Sequence, residues 1–433
     1  MSIFQRMESN VRGYCRSFPV VFETARGAYL TDKDGNSWID FLAGAGTMNY
    51  GHNNPRIKER VLEFIEEDGL MHGLDLHTCA KQRFLESFER HILWPLELTY
   101  KMQFTGPTGT NAVEAAIKLA RKVTDRTNIV SFTNGFHGVS LGSVAATGNS
   151  HFRDAAGVPL NNTTFMPYDG YFGEDVDTLD YFRAYLEDGS SGLDLPAAVI
   201  LETVQGEGGV NVASAEWLRG LEDLCHEHGI LMIVDDIQVG CGRTGSFFSF
   251  ETAGIVPDIV TLSKSLGAYG LPLSIVLMKS ELDCWEPGEH NGTFRGNNLA
   301  FVAAAEAIDL YWADSDLSRD VKSKGRLIEE RLNEIAEKYS DVVPLDARGR
   351  GMIRGLGCRE CPDLADAVSH EAFGRGLIIE TSGTDSNVLK LLPPLTIKRE
   401  TLEEGLDIIE ASFDAVLSDD AFLEKHDLVE LNA

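Results

Sequence analysis

Lys264 stands in the run Thr-Leu-Ser-Lys-Ser-Leu-Gly, in a stretch nearly empty of other charges. An apolar, strand-like run from Ile230 to Val234 ends in the acidic pair Asp235-Asp236, 29 residues before that lysine. The interval leaves room for a loop, a turn and one more strand, Asp258 to Leu262. In an α/β sheet, ligands sit where strands end. An amine and a carboxylate delivered there together can condense with a carbonyl and keep a ring nitrogen protonated, so that the ring accepts electrons. Pyridoxal phosphate is the cofactor that needs both groups.

Such a cofactor also needs a phosphate cradle and a cover for its ring. The turn Thr105-Gly106-Pro107-Thr108-Gly109-Thr110-Asn111 separates a strand from a helix with the apolar face Val113, Ala116, Ile117 and Ala120. Free amides and the positive dipole end suit a phosphate there, with Gly109, Thr110 and Asn111 as contacts. Alone, the turn reads better as an ordinary helix cap, and it matches neither a Walker A nor a dinucleotide pattern. Asn134-Gly135-Phe136-His137-Gly138 follows another strand, and an aromatic between glycines can lie flat on a planar ligand or simply cover the core. Glu202 to Gly209 ends a third strand with two carboxylates, Glu202 and Glu207. Gln238 follows the acidic pair, and Asn291 to Asn297, with Thr293, is a second candidate phosphate loop. Each signal is modest; their order along the chain is the stronger observation.

Strand and helix patterns must alternate to bring these turns together. They do so from about Tyr100 to Met278, the pattern of a mostly parallel sheet with helices on its faces. Predicted strands are Lys101 to Thr105, Asn128 to Phe132, Ala197 to Glu202, Ile230 to Asp235, Ile259 to Leu262 and Ser274 to Met278. Helical periodicity covers Arg56 to Glu66, Thr78 to Ile92, Ala215 to His228 and Leu299 to Tyr339. Short strands at Pro19 to Glu23, Ala28 to Thr31 and Ser37 to Phe41 precede it. Met352 to Gly357, Leu377 to Glu380, Val388 to Leu391 and a helix after Arg399 suggest a smaller α+β unit, which the N-terminal strands join. The expected class is α/β, divided as 1–50, 51–325 and 326–433, with an end that frays after Ser418.

A formal charge of −29 repels nucleic acid and anionic membrane. It suits plain solubility or a salt-rich interior equally. The start carries no apolar leader, no run is long enough to span a membrane, and seven scattered cysteines fit a reducing cytoplasm. Cys358-x-x-Cys361 lacks a second pair, and Cys225, His226 and His228 read as packing or surface residues, so no metal site is expected.

The run Asp235-Asp236-Ile237-Gln238, Gly242-Arg243-Thr244-Gly245, Pro257-Asp258 and Lys264 resembles the signature of the class III aminotransferases, of pyridoxal-phosphate fold type I. The resemblance extends from Gly27 through Pro393-Pro394-Leu395. Finer stretches are similar to the branch of that family that makes diaminobutyrate for ectoine, a salt-protective solute. These are Arg16 to Pro19, Phe41 to Gly46, Asn49 to His52 and Gly106 to Thr110. The resemblance implies L-glutamate as amino donor, L-aspartate-4-semialdehyde as acceptor, and a homodimer or larger homo-oligomer. It implies that Lys264 bonds the cofactor and carries the proton, Asp235 pairs with the ring nitrogen, and Gln238 bonds the ring oxygen. Phe136, next to His137, would stack on the ring. Gly109 and Thr110 would hold the phosphate, with Thr293 reaching it from the neighbouring subunit.

Three positions depart from relatives. Asp236 replaces the usual glutamate, and Val139 stands where several relatives carry a carboxylate-binding arginine. Lys390 replaces the arginine that pairs with the glutamate matching Glu207, giving a point charge in place of a fork. Glu207 and Lys390 are the expected substrate contacts, with Arg219, Arg243 and Arg354 as further candidates for a carboxylate. Other ω-aminotransferases, acting on ornithine, acetylornithine or 4-aminobutyrate, are the alternatives, and Val139 speaks against the last. A silent ligand-binding protein would be expected to have lost Lys264 or Asp235.

Overall fold

Seven strands form the central sheet of the computed structural model, which describes residues 2–173, 175–426 and 428. In chain order they are β1 (Tyr100–Phe104), β2 (Ile129–Phe132), β3 (Thr163–Met166), β4 (Ala198–Leu201), β5 (Leu231–Asp235), β6 (Ile259–Leu262) and β7 (Ile275–Lys279). Across the sheet the order is β1-β7-β6-β5-β4-β2-β3. The β2–β3, β2–β4, β4–β5 and β5–β6 pairs are parallel, while β7 runs antiparallel to both β6 and β1. Strands β2, β4 and β6 are buried at every position, so they read as continuous runs, apolar but for Ser131 and Thr261, rather than alternating ones. Edge strand β3 is only half-buried and has no apolar run, which is why no sequence signal marks it.

Helices on both faces close the core. The Gly109–Thr124 helix packs Val113, Ala116, Ile117 and Ala120 against the sheet, as its periodicity predicts. The helical stretch expected from Leu299 to Tyr339 is two helices, Asn298–Tyr311 and Asp316–Lys338. Asp314 explains the break: its carboxylate takes the Asp316 N–H at 2.8 Å, a local turn that competes with helix. The helix from Thr78 begins at Cys79 and ends at Phe88, where a wider turn, Glu89–Leu93, takes over.

Residues from both chain ends build the remaining sheets. Phe22–Arg26, Tyr29–Asp32 and Ser37–Asp40 form a meander that Leu377–Ile378 extends in parallel. The run expected as one strand, Leu377 to Glu380, splits at Ile379, because Glu380–Ser382 pairs instead with Val388–Leu391 in a second sheet. Asp346–Arg350 and Ile353–Gly357 complete that sheet. The first strand lies three residues later than expected, since Tyr14–Ser17 winds into a helical turn before Pro19. After Ser418 a short helix, Asp420–Lys425, is present where fraying was expected, while 427 and 429–433 lie outside the described residues. No described helix is long and apolar enough to cross a membrane.

Candidate active site

Every chemistry-bearing turn leaves the sheet at the same edge. Gly109 and Thr110 follow β1, Phe136 and His137 follow β2, and Glu202 and Glu207 follow β4. Asp235 ends β5, with Gln238 three residues beyond, and Lys264 lies two residues past β6. These residues line one cavity of ≈ 170 Å³, together with Gly138 and Ile237. A second chamber of ≈ 330 Å³ shares Phe136 and Glu207 with it and is walled by Asn134, Asn149, Phe152, Tyr171 and Thr384.

Asp235 is held as an acceptor on three sides. His137 Nδ1 lies 2.7 Å from Oδ2, and the Thr261 hydroxyl (3.0 Å) and Ile237 N–H (3.3 Å) donate to Oδ1. These contacts fix the orientation of the carboxylate. Burial works against a charge on His137, but the Asp235 carboxylate outweighs it and the imidazole pKa is raised. Lys264 has the left-handed backbone angle φ 48°, a conformation that costs a side-chain-bearing residue about 1 kcal/mol. Strain of that kind concentrates at functional positions. Burial, with a smaller push from Lys390, lowers the pKa of its ammonium against the opposing pull of Glu207.

Glu207 forms the far wall, and an ion cluster lies behind it. Lys390 is fully buried and its Nζ lies 2.8 Å from Glu207 and 3.2 Å from Glu380. Glu380 and Lys390 are cross-strand partners, so strand pairing alone brings them together. Glu207 also accepts from Gln238 Nε2 at 2.9 Å. Burial would raise Glu207, but Lys390 and Lys264 hold it down to about 2. Glu380 has less compensation, and burial pushes it up to about 7. Desolvation of the Tyr14 hydroxyl, on a residue otherwise half exposed, together with the nearby charges of Glu380 and Glu207, raises its pKa.

Two features leave room for a phosphorylated ring. Gln238 Oε1 is buried beside the cavity without a partner. The Gly109 and Thr110 amides, at the very start of their helix, have no helical carbonyl to bond. Thr110 Oγ1 is anchored by Ser140 (2.7 Å) and Ser143 (2.8 Å), which fixes that turn.

The expected residues do not all meet here. Asn111 turns its side chain back to cap the helix, taking hydrogen bonds from Thr108 N–H (3.3 Å) and Oγ1 (2.9 Å), and is not on the cavity wall. Thr293 is exposed on its loop, away from this chain's cavity. Arg219 pairs with Glu216, Arg354 with Glu329, and buried Arg243 bonds the Met352 and Pro393 carbonyls, so none of the three reaches the wall. Val139 is exposed. Glu380, Tyr14 and Thr261 were not expected. Strand register sets Thr261 beside Asp235 and Glu380 beside Lys390, so either could have been suggested only with the pairing known, and no local signal marks Tyr14.

A family model for class III aminotransferases matches residues 12–413. The chain belongs to the class III aminotransferases. Within that family it is 62% identical over 420 residues to a diaminobutyrate–2-oxoglutarate transaminase of Bordetella parapertussis, covering 97% of this chain and 96% of that one. A diaminobutyrate–2-oxoglutarate transaminase of Halomonas elongata is 60% identical, covering 95% and 98%. Among solved structures, the ornithine aminotransferase of Toxoplasma gondii, with pyridoxal phosphate at partial occupancy in its active site, superposes with TM-score 0.82 at 26% identity, covering 95% and 93%. The aminotransferase fold is thus shared well beyond close relatives.

Proposed function

We propose that this chain transfers an amino group from L-glutamate to L-aspartate-4-semialdehyde, giving L-2,4-diaminobutyrate and 2-oxoglutarate. The observation that carries the reading is 62% identity, end to end, to a transaminase of that name. Pyridoxal phosphate is the cofactor that these residues fit, and when bound it supplies an aldehyde to take the amino group and a ring to accept electrons.

The chain's own residues do the rest. Asp235 offers its carboxylate to a protonated ring nitrogen, and His137, Thr261 and Ile237 keep it aimed. Lys264 has a lowered pKa, so its Nζ gives up a proton more readily than a free lysine does. Phe136 covers the ring, Gln238 Oε1 takes a donor from the ligand, and the Gly109 and Thr110 amides hold the phosphate. Glu207 stays ionised and neutralises Lys390, and it leaves that place when a donor carboxylate needs the cation. Thr293 reaches the phosphate of a second subunit, in a homodimer or larger assembly.

We place the enzyme in the cytoplasm at the first step of ectoine formation, a reading that the charge of −29 supports. The test is a panel of amino acceptors with L-glutamate as donor. Aspartate semialdehyde is expected to be preferred, and Lys264→Ala to abolish turnover. Equal rates with aspartate semialdehyde and succinate semialdehyde would undo the substrate assignment.

A further inference from the structure

Three carboxyl groups, on Glu202, Glu207 and Asp235, face one cavity, and they are not solvated alike. Asp235 has three donors, and Glu207 has Lys390 and Gln238. Glu202, only 6 % exposed, has a single hydrogen bond, from the Phe136 N–H to Oε2 at 3.0 Å. Among the described residues no ion pair reaches it. The charged and titratable groups around it are His137, Asp235 and Glu207. Lys264 also acts on it, and Tyr168, whose hydroxyl donates to the Glu202 main-chain carbonyl at 2.7 Å, packs alongside.

A buried carboxylate with one amide donor, beside two carboxylates that are better compensated, is least costly without its charge. Paired acids whose surroundings differ this way take different roles. We propose that Glu202 works in this site as a neutral carboxylic acid, whose second oxygen donates a hydrogen bond to an oxygen lone pair of the bound cofactor. This rests on the cofactor reading above. It also limits the charge of the cavity: a third ionised carboxylate would repel the substrate carboxylate that Lys390 must attract. Burial accordingly pushes the Glu202 pKa up to about 8, against the pull of His137.

The test uses the holoenzyme, with Glu202→Gln as a neutral donor of similar shape and Glu202→Leu as a non-donor. Infrared difference spectra should show a carboxylic-acid C=O band in the wild type that Glu202→Gln lacks and that fades as pH rises through about 8. The pyridoxal phosphate Kd should rise by less than about threefold in Glu202→Gln and by at least about tenfold in Glu202→Leu, the cost of one lost donor. Identical spectra for wild type and Glu202→Gln would overturn the inference. So would a Glu202→Gln variant that binds cofactor as weakly as Glu202→Leu. If Glu202→Leu does not fold, the band and the Glu202→Gln titration decide. A wild type that takes up no pyridoxal phosphate would overturn the cofactor reading instead.

Discussion

Replacing Lys390 with methionine removes the cation that pairs with both half-buried Glu207 and buried Glu380. At 2.8 and 3.2 Å, and an effective dielectric near 20, each pair attracts by about 5 kcal/mol before desolvation is counted. Breaking a buried pair by deleting one partner costs about 3–5 kcal/mol, because a charge is left uncompensated. Here the orphans can escape by protonation, so the cost depends on pH. Glu207 is depressed to about 2, so its pairing stabilises the fold above its ordinary value of 4.5 and is lost as pH falls towards 2. Glu380 is raised to about 7, so its burial weighs against the fold increasingly as pH climbs from 4.5 through 7. Without Lys390 both carboxyls take up protons more readily. The expected loss is therefore about 3 kcal/mol near pH 8 and about 1 kcal/mol near pH 5. Urea unfolding of wild type and Lys390→Met at both pH values measures it. Adding Glu380→Gln to Lys390→Met should recover stability near pH 8, since it removes one orphaned charge. Equal losses at the two pH values, or a double variant no more stable than the single one, would refute this account of the cluster.

Asp235→Asn keeps the shape beside His137 but removes the charge; amino transfer should fall by at least about 10²-fold, measured as single-turnover conversion with L-glutamate. Its His137 pKa should also drop, by nuclear magnetic resonance titration, because the carboxylate that raises it is gone. Gly206→Ala would set a Cβ 1.8 Å from Gln238 Oε1, forcing that side chain off both Glu207 and the Ala45 carbonyl. The fold should survive, since the far end of a side chain can move. Cofactor affinity should weaken by about tenfold in a titration of the apoprotein, the worth of about one hydrogen bond.

Much of the candidate site was legible in the chain because each part sits at or soon after the end of a strand of one sheet. Most of those strands are short and largely apolar, and the turns that follow them are delivered to the same sheet edge. Asp235, Phe136, Gly109 and Lys264 could be ordered on that basis before any distance was known. Asn111 was expected to offer its amide to a phosphate; that amide bonds the Thr108 carbonyl at 2.9 Å, while its side chain caps its own helix. Strand β3 was missed because a half-buried edge carries no apolar run.

The sequence by itself determined the lysine, its strand-end aspartate and the order of the turns, since these depend on local runs and on spacing within one sheet. Only the tertiary structure decided the far wall. Glu207 comes from the loop that follows β4, Glu380 and Lys390 from a C-terminal hairpin, and Tyr14 from the opposite end of the chain. Burial there is set by long-range packing. It decides which of these groups stays charged, and no residue's near neighbours in sequence report it.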